Sequence, residues 1–230
     1  MSTVFYAKRE ALYEKHGERL ITVLACLLGF LVFIGTPLAA LGGVAFHVIG
    51  GLTILGMIGV AIILDGRIYV LLPMIVAFAI ASVAVAMRTI EPSVYDIYLS
   101  AFAWLVLSGL WAWIVARMVF GPGRVTFHRI VGAVFLYLLV SMVFACLYMI
   151  IGAGNPKAFS GLVVEDSADN ASHLIYFSLA TLTTAGFGDI VPVDPMARAL
   201  SNLESVFGAL YPATLIARLV SLEIEGRSKS

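Results

Sequence analysis

An all-α membrane protein with six spanning helices, and one shorter helix that enters the bilayer and turns back, is the fold that this sequence predicts. Three observations lead there. The chain of 230 residues is 61% hydrophobic and 12% charged, with a mean hydropathy of +1.03. Ordinary globular domains carry about twice that charged fraction, and a soluble core of this size has no room for so much apolar surface. Apolar runs also recur at about 20 residues, the length that crosses the hydrocarbon core as a helix. Finally, one run is too short to cross and leads directly into TLTTAGFGDIVP at 181–192.

The elements follow in order. Residues 1–19 (MSTVFYAKREALYEKHGER) are rich in charge and read as a cytoplasmic interfacial helix. No cleavable leader is evident, because the next apolar run is long enough to remain as a span. Runs at roughly 20–40, 44–64, 68–87 and 97–120 make a four-helix scaffold over residues 20–120. Residues 121–230 form a second unit, with an outer helix at roughly 127–152 and an inner helix at roughly 197–221. Between them lies the short helix, 173–184, too short to span and suited to a re-entrant path. Ser172 or Asn170 is placed to cap it. With a cytoplasmic N-terminus, eleven Lys and Arg residues fall inside and three outside (Arg88, Lys157 and Arg198). That is a positive-inside bias. It puts the N- and C-termini in the cytoplasm of a multi-pass cell-membrane protein.

Irregular backbone at membrane depth is costly, since each unpaired amide or carbonyl costs several kcal/mol in lipid. It is tolerated where it lines a wet, protein-enclosed path. Thr184, Ala185, Gly186, Phe187, Gly188 and Asp189 have the composition for such a path. Glycine reaches left-handed angles cheaply, and alternating it with other residues turns successive carbonyls to one side. A column of carbonyls replaces the water shell of a small cation. Thr184 adds a hydroxyl, and the C-terminal end of the short helix adds partial negative charge. One chain supplies one wall, so closure needs several copies around an axis.

TTAGFGD resembles TTVGYGD, the filter of the potassium-channel superfamily, and the flanking order of outer helix, linker, short helix, filter, aspartate and inner helix agrees with it. The resemblance covers roughly 127–221. It implies a homotetramer in the lipid bilayer that conducts K⁺ passively, with K⁺ held by the carbonyls of Thr184, Ala185, Gly186 and Phe187. Gly188 and Asp189 form the outer end. Gly208 matches an inner-helix glycine that acts as a hinge, and Pro212, one turn later, removes a helix hydrogen bond. Three departures thin the support around the filter. Ala185 replaces Val or Ile, Phe187 replaces Tyr, and Ala180 stands where some members have a carboxylate. They predict a filter that inactivates readily or selects less sharply.

Glu204 is an ionisable residue within the inner helix, and such residues are functional by default. It either braces the filter from behind or faces a cavity and draws cations. Bracing is preferred. A voltage sensor needs several charges, each worth about 2.3 kcal/mol per 100 mV. The fourth apolar run has Arg117 alone, so strong voltage gating is not expected. A formal net charge of zero gives no reason to expect nucleic acid. Cys26 and Cys146 sit in apolar runs and make no disulfide framework. No catalytic cluster or phosphate loop is present, so an enzyme is not expected, and no cofactor beyond the permeant K⁺. The alternatives are a weakly selective or non-selective monovalent cation channel, or a non-conducting regulatory subunit.

Overall fold

A computed structural model of the chain describes residues 19–35, 55–62, 67–88, 93–121, 126–167 and 169–228. Helix α1 covers 19–30 and runs into a π-helical turn, Leu31–Gly35; α2 covers 55–62. Then come α3 (Ile68–Arg88), α4 (Val94–Val119), α5 (Phe127–Gly154), β1 (Phe159–Ser160), α6 (Asp169–Leu182), β2 (Val191–Pro192) and α7 (Pro195–Ser228). By length and composition α3, α4 and α5 are each able to cross a membrane. The expected first and second spans fall partly outside the described residues, and residues 1–18 lie wholly outside them.

Two of the long helices, α4 and α7, start at side-chain caps. Ser93 caps α4 in extended backbone and its hydroxyl accepts the Tyr95 N–H at 3.3 Å, with Asp96 in the first turn to complement the helix dipole. At the other end of α4, the Phe120 N–H donates to Ala116 O. Before α7, Asp194 accepts the N–H groups of Met196 (2.8 Å) and Ala197 (3.4 Å), and Pro195 takes the first helical position, where its missing N–H costs nothing.

The core runs along α5. Trp111, Ile114 and Val115 of α4 pack with Phe135, Leu136 and Leu139 of α5, and Trp111 meets Phe135 edge to face with centroids 6.3 Å apart. A second cluster joins α5 to the short helix through Phe144, Tyr148, Phe159 and Phe177. Tyr148 is its centre, with centroid distances of 4.9 Å to Phe177 and 5.9 Å to Phe159. The outward faces of α3 and α7 stay apolar and exposed on the single chain, for instance Leu72, Ile75, Leu203 and Leu210.

Three expectations need correction. The fold is not purely helical, because the linker and the post-filter residues form an antiparallel two-stranded ribbon, Phe159 opposite Pro192 and Ser160 opposite Val191. Two-residue strands carry no alternating pattern for a sequence reading to find. The short helix starts at Asp169, upstream of both proposed caps, and ends at Leu182 rather than 184. Ser172 and Asn170 are therefore inside it. Several capping residues stand together in SADNAS, and Asp169 wins the first turn, where its charge meets the helix dipole. The inner helix is longer than expected, from Pro195 to Ser228, and it continues unbroken through Pro212.

The two ends of the bundle are separately tied. At one end, Arg88 at the close of α3 pairs with Asp166 (2.5 Å), and Asp166 also accepts the Ser93 N–H. At the other, Arg218 of α7 donates to Phe120 O (2.7 Å) and its guanidinium lies 5.0 Å from the Phe120 ring centroid. Arg218 is thus a loop contact. Scaffold helices and the C-terminal unit of one chain touch at both ends.

Candidate functional site

The short helix α6 ends in full satisfaction of its last carbonyls. An α-helix leaves four C-terminal carbonyls without intrahelical partners. Here Leu179 O accepts the Thr183 N–H and the Thr183 hydroxyl. Ala180 O accepts the N–H groups of Ala185 (2.9 Å) and Gly186 (3.1 Å). Thr181 O accepts the Thr184 N–H and, at 3.5 Å, the Ser205 hydroxyl of α7. Leu182 O accepts the Tyr137 hydroxyl of α5 at 2.8 Å. Residue 180, where a carboxylate is absent, still takes part through its backbone.

Beyond this cap the chain changes hand at every second residue. Thr184 has φ 58°, Gly186 φ 54° and Gly188 φ 80°, and Thr184 is the one non-glycine with positive φ among the described residues. A positive φ costs an ordinary residue roughly 1–2 kcal/mol, so its presence at Thr184 marks a conformation imposed by the surroundings. Ala185 and Phe187 lie between on the negative side. Among the described residues, the carbonyls of 184–188 accept no hydrogen bond. All six residues from Thr184 to Asp189 are exposed on the single chain.

What supports this loop comes from residues the sequence reading did not single out. The Phe187 ring, 70% exposed, stacks on Tyr176 of α6 with centroids 5.8 Å apart and planes 9° apart. The Tyr176 hydroxyl lies near the Asp189 carboxylate. Nothing in TLTTAGFGD points back eleven residues to a tyrosine, so no sequence signal was available without a family pattern.

Glu204 points at the short helix. It is completely buried, and its carboxylate accepts hydroxyls from Tyr148 of α5 (2.6 Å) and Ser178 of α6 (2.5 Å). Ser178 also lies within reach of Ser141 O (2.8 Å) and the Ser141 hydroxyl (3.0 Å). One carboxylate therefore joins three helices.

Gly208 sits where α7 crosses the end of α6. A Cβ built there would overlap the Leu182 carbonyl oxygen and stand 2.7 Å from its carbon. Pro212 has no N–H to give the Gly208 carbonyl, yet helical backbone continues on both sides. Just beyond Gly208, the Tyr211 hydroxyl donates to Ala133 O at 2.9 Å and docks the helix on α5.

Asp194 anchors the outer start of α7. Its carboxyl is held below the usual carboxylate range, first by the Met196 N–H and next by the Asn155 side-chain amide. Stabilisation from a depressed pKa is present above the ordinary value near ~4 and disappears as pH falls through the depressed one. Asp194→Ala should lower the melting midpoint in detergent at neutral pH, and its gap from the parent should close in acid. A gap unchanged on acidification would contradict the charged cap.

Two long helices, α5 and α7, frame a short helix whose following loop alternates in hand; with three helices able to cross a membrane, the class so defined is a multi-pass membrane protein. Residues 123–224 match a family model described as "Ion channel". Through this segment the chain is similar to ion channels, and over a shorter stretch to a potassium channel.

Relatives are similar over short stretches. Protein LctB of Bacillus caldotenax is 31% identical over 87 residues, 36% of this chain and 64% of that protein. Protein LctB of Geobacillus stearothermophilus is 31% identical over 80 residues, 34% of this chain and 59% of that one. The calcium-gated potassium channel TvoK of Thermoplasma volcanium is 39% identical over 59 residues, 24% of this chain and 17% of that one. The chain thus spans less than two thirds of each relative's length.

Proposed function

We propose that four copies of this chain surround an axis in the cell membrane and pass K⁺ down its gradient. The ion sheds water onto carbonyl rings from Thr184, Ala185, Gly186 and Phe187, with the Thr184 hydroxyl at the inner end and Gly188 and Asp189 at the outer end. Adjacent sites exchange ions by knock-on. The observation that carries this reading is the left-handed backbone at 184, 186 and 188 in a loop whose carbonyls have no hydrogen-bond partner among the described residues. Glu204 braces the short helix behind the loop. Gly208 and Pro212 are the points in α7 where bending costs least.

The remainder of the assembly follows from charge and length. Six spans place the residues before the first and after the last on the cytoplasmic side, and the segment 155–194 outside. The pairing of Arg88 with Asp166 supports this, because it puts the end of α3 and the linker on one side. The exposed apolar face of α7 is available to a second copy. With Arg117 as the lone arginine of α4, gating by voltage is weak.

A weakly selective cation channel is the second reading. What favours it is Ala185, whose side chain is small and exposed, together with Phe187, which has no hydroxyl to tie the loop to a neighbour.

Purified protein in liposomes tests both. K⁺ flux is expected to exceed Na⁺ flux and to fall to background in Gly186→Asp. A Cβ at 186 meets open space in the single chain, and in the proposed tetramer the substitution acts by backbone strain and by four new carboxylates beside the path. Equal K⁺ and Na⁺ fluxes would select the second reading. Flux unaltered in Gly186→Asp would remove the loop from the ion path.

A further inference from the structure

We infer that the linker between α5 and α6 is a clasp on the outer end of the filter loop, and that Gly161 is a positioning residue for ion selectivity. The inference rests on the conduction proposed above. The inner end of the loop is fixed by the capped terminus of α6. Its outer end is fixed by the linker, through backbone.

Ribbon β1–β2 sets Phe159 opposite Pro192 and Ser160 opposite Val191, just after the filter residues. Ala158 O accepts the N–H groups of both Val193 (2.8 Å) and Asp194 (3.1 Å). Gly161 follows at φ 85°, and a Cβ there would overlap the Asp189 carbonyl oxygen and stand 3.1 Å from its carbon. Backbone meets backbone at this point, so no side chain fits and neither partner can swing away as a flexible side chain would. The angle independently favours glycine.

The clasp is itself anchored twice. Phe159 packs edge to face on Tyr148 of α5 (5.9 Å) and Phe177 of α6 (5.5 Å). Its far end is held by Asp166, which is 4% exposed in its side chain and takes both Arg88 and the Ser93 N–H from the scaffold. The scaffold helices therefore reach the mouth of the filter through the linker. Among the described residues, ring contact to the loop comes from Tyr176, so the position of Asp189 sets the spacing of the outer carbonyls. Such spacing matters because a binding group misplaced by about 1 Å loses much of its effect.

The test uses the full chain in liposomes and reads the ratio of K⁺ to Na⁺ flux. Gly161→Ala should reduce that ratio about tenfold or more, with assembled protein still obtained. A second preparation carries Ser160→Cys and Val191→Cys in a Cys26→Ser background. The two positions face each other in an antiparallel ribbon, within the usual Cα separation of a disulfide. Cross-linked by a mild oxidant, it should keep the parent ratio, because the clasp is closed while ions pass. A Gly161→Ala protein with the parent ratio overturns the inference. So does cross-linked protein whose flux or ratio drops and recovers on reduction, and this arm decides if Gly161→Ala does not assemble. A parent protein without K⁺ preference defeats the conduction reading instead, which separates the two failures.

Discussion

Gly208→Ala is expected to destabilise the protein by about 2–4 kcal/mol, the sum of overpacking and one disturbed hydrogen bond. The added methyl falls on the Leu182 carbonyl, which is backbone and already receives the Tyr137 hydroxyl. Relief requires α7 to move away from the end of α6, or that carbonyl to turn and release Tyr137. Either motion loosens the cap from which the filter loop starts. Thermal unfolding in detergent, followed by tryptophan fluorescence, should show a clear drop in midpoint. A glycine kept for bending alone predicts otherwise, since alanine is the better helix former by about 1 kcal/mol and should raise the midpoint. An unchanged or raised midpoint would therefore return Gly208 to a hinge with no packing duty. Gly186→Ala is the matched control. Its Cβ meets open space, and the cost is limited to about 1–2 kcal/mol of left-handed strain.

The membrane class and the ion-channel unit were legible in the sequence for different reasons. Hydropathy exposes a span because lipid allows few alternatives to an apolar helix of about 20 residues. The α3, α4 and α5 boundaries lie close to the apolar runs that announced them. The left-handed turns at 186 and 188 were legible because such backbone favours glycine, and glycine is visible as a letter. Thr184 shows the limit of that argument, being left-handed with no glycine to advertise it. Gly161 was passed over for the opposite reason. It stands among turn formers in FSGL, where a glycine is unremarked, and its necessity comes from a carbonyl 28 positions away in sequence. Tyr137, Tyr148, Tyr176 and Ser178 each look like ordinary helix residues. Their hydroxyls acquire partners only when separate elements meet, and no spacing rule within one helix reports that meeting. The inner helix was set too short because its later residues are more polar than a span needs to be, although they continue the helix to Ser228.

Glu204→Ala should cost about 2–4 kcal/mol, because removing one member of a buried polar set leaves the others unpaired. The loss falls unequally. Ser178 retains Ser141 O and the Ser141 hydroxyl as partners, whereas the Tyr148 hydroxyl is left with Ser201 at 3.3 Å. The Glu204–Tyr148 pair should therefore carry more of the coupling than Glu204–Ser178. A double-mutant cycle of Glu204→Gln with Tyr148→Phe measures the first, and one with Ser178→Ala measures the second. Glutamine keeps an oxygen for Tyr148 and offers its amide hydrogens to the two serines, so Glu204→Gln should lose about half of what alanine loses. If the carboxylate served to draw cations into a cavity, glutamine and alanine would reduce flux alike and leave unfolding unaltered. If it braces the short helix, unfolding midpoint and K⁺ preference should decline together, alanine further than glutamine. Burial already leans toward bracing: the side chain has no exposed surface, and its two hydrogen bonds run to the helices on either side of it. On the proposed conduction path, a residue so placed would act through the position of Ser178, one turn before the carbonyls that cap into the loop.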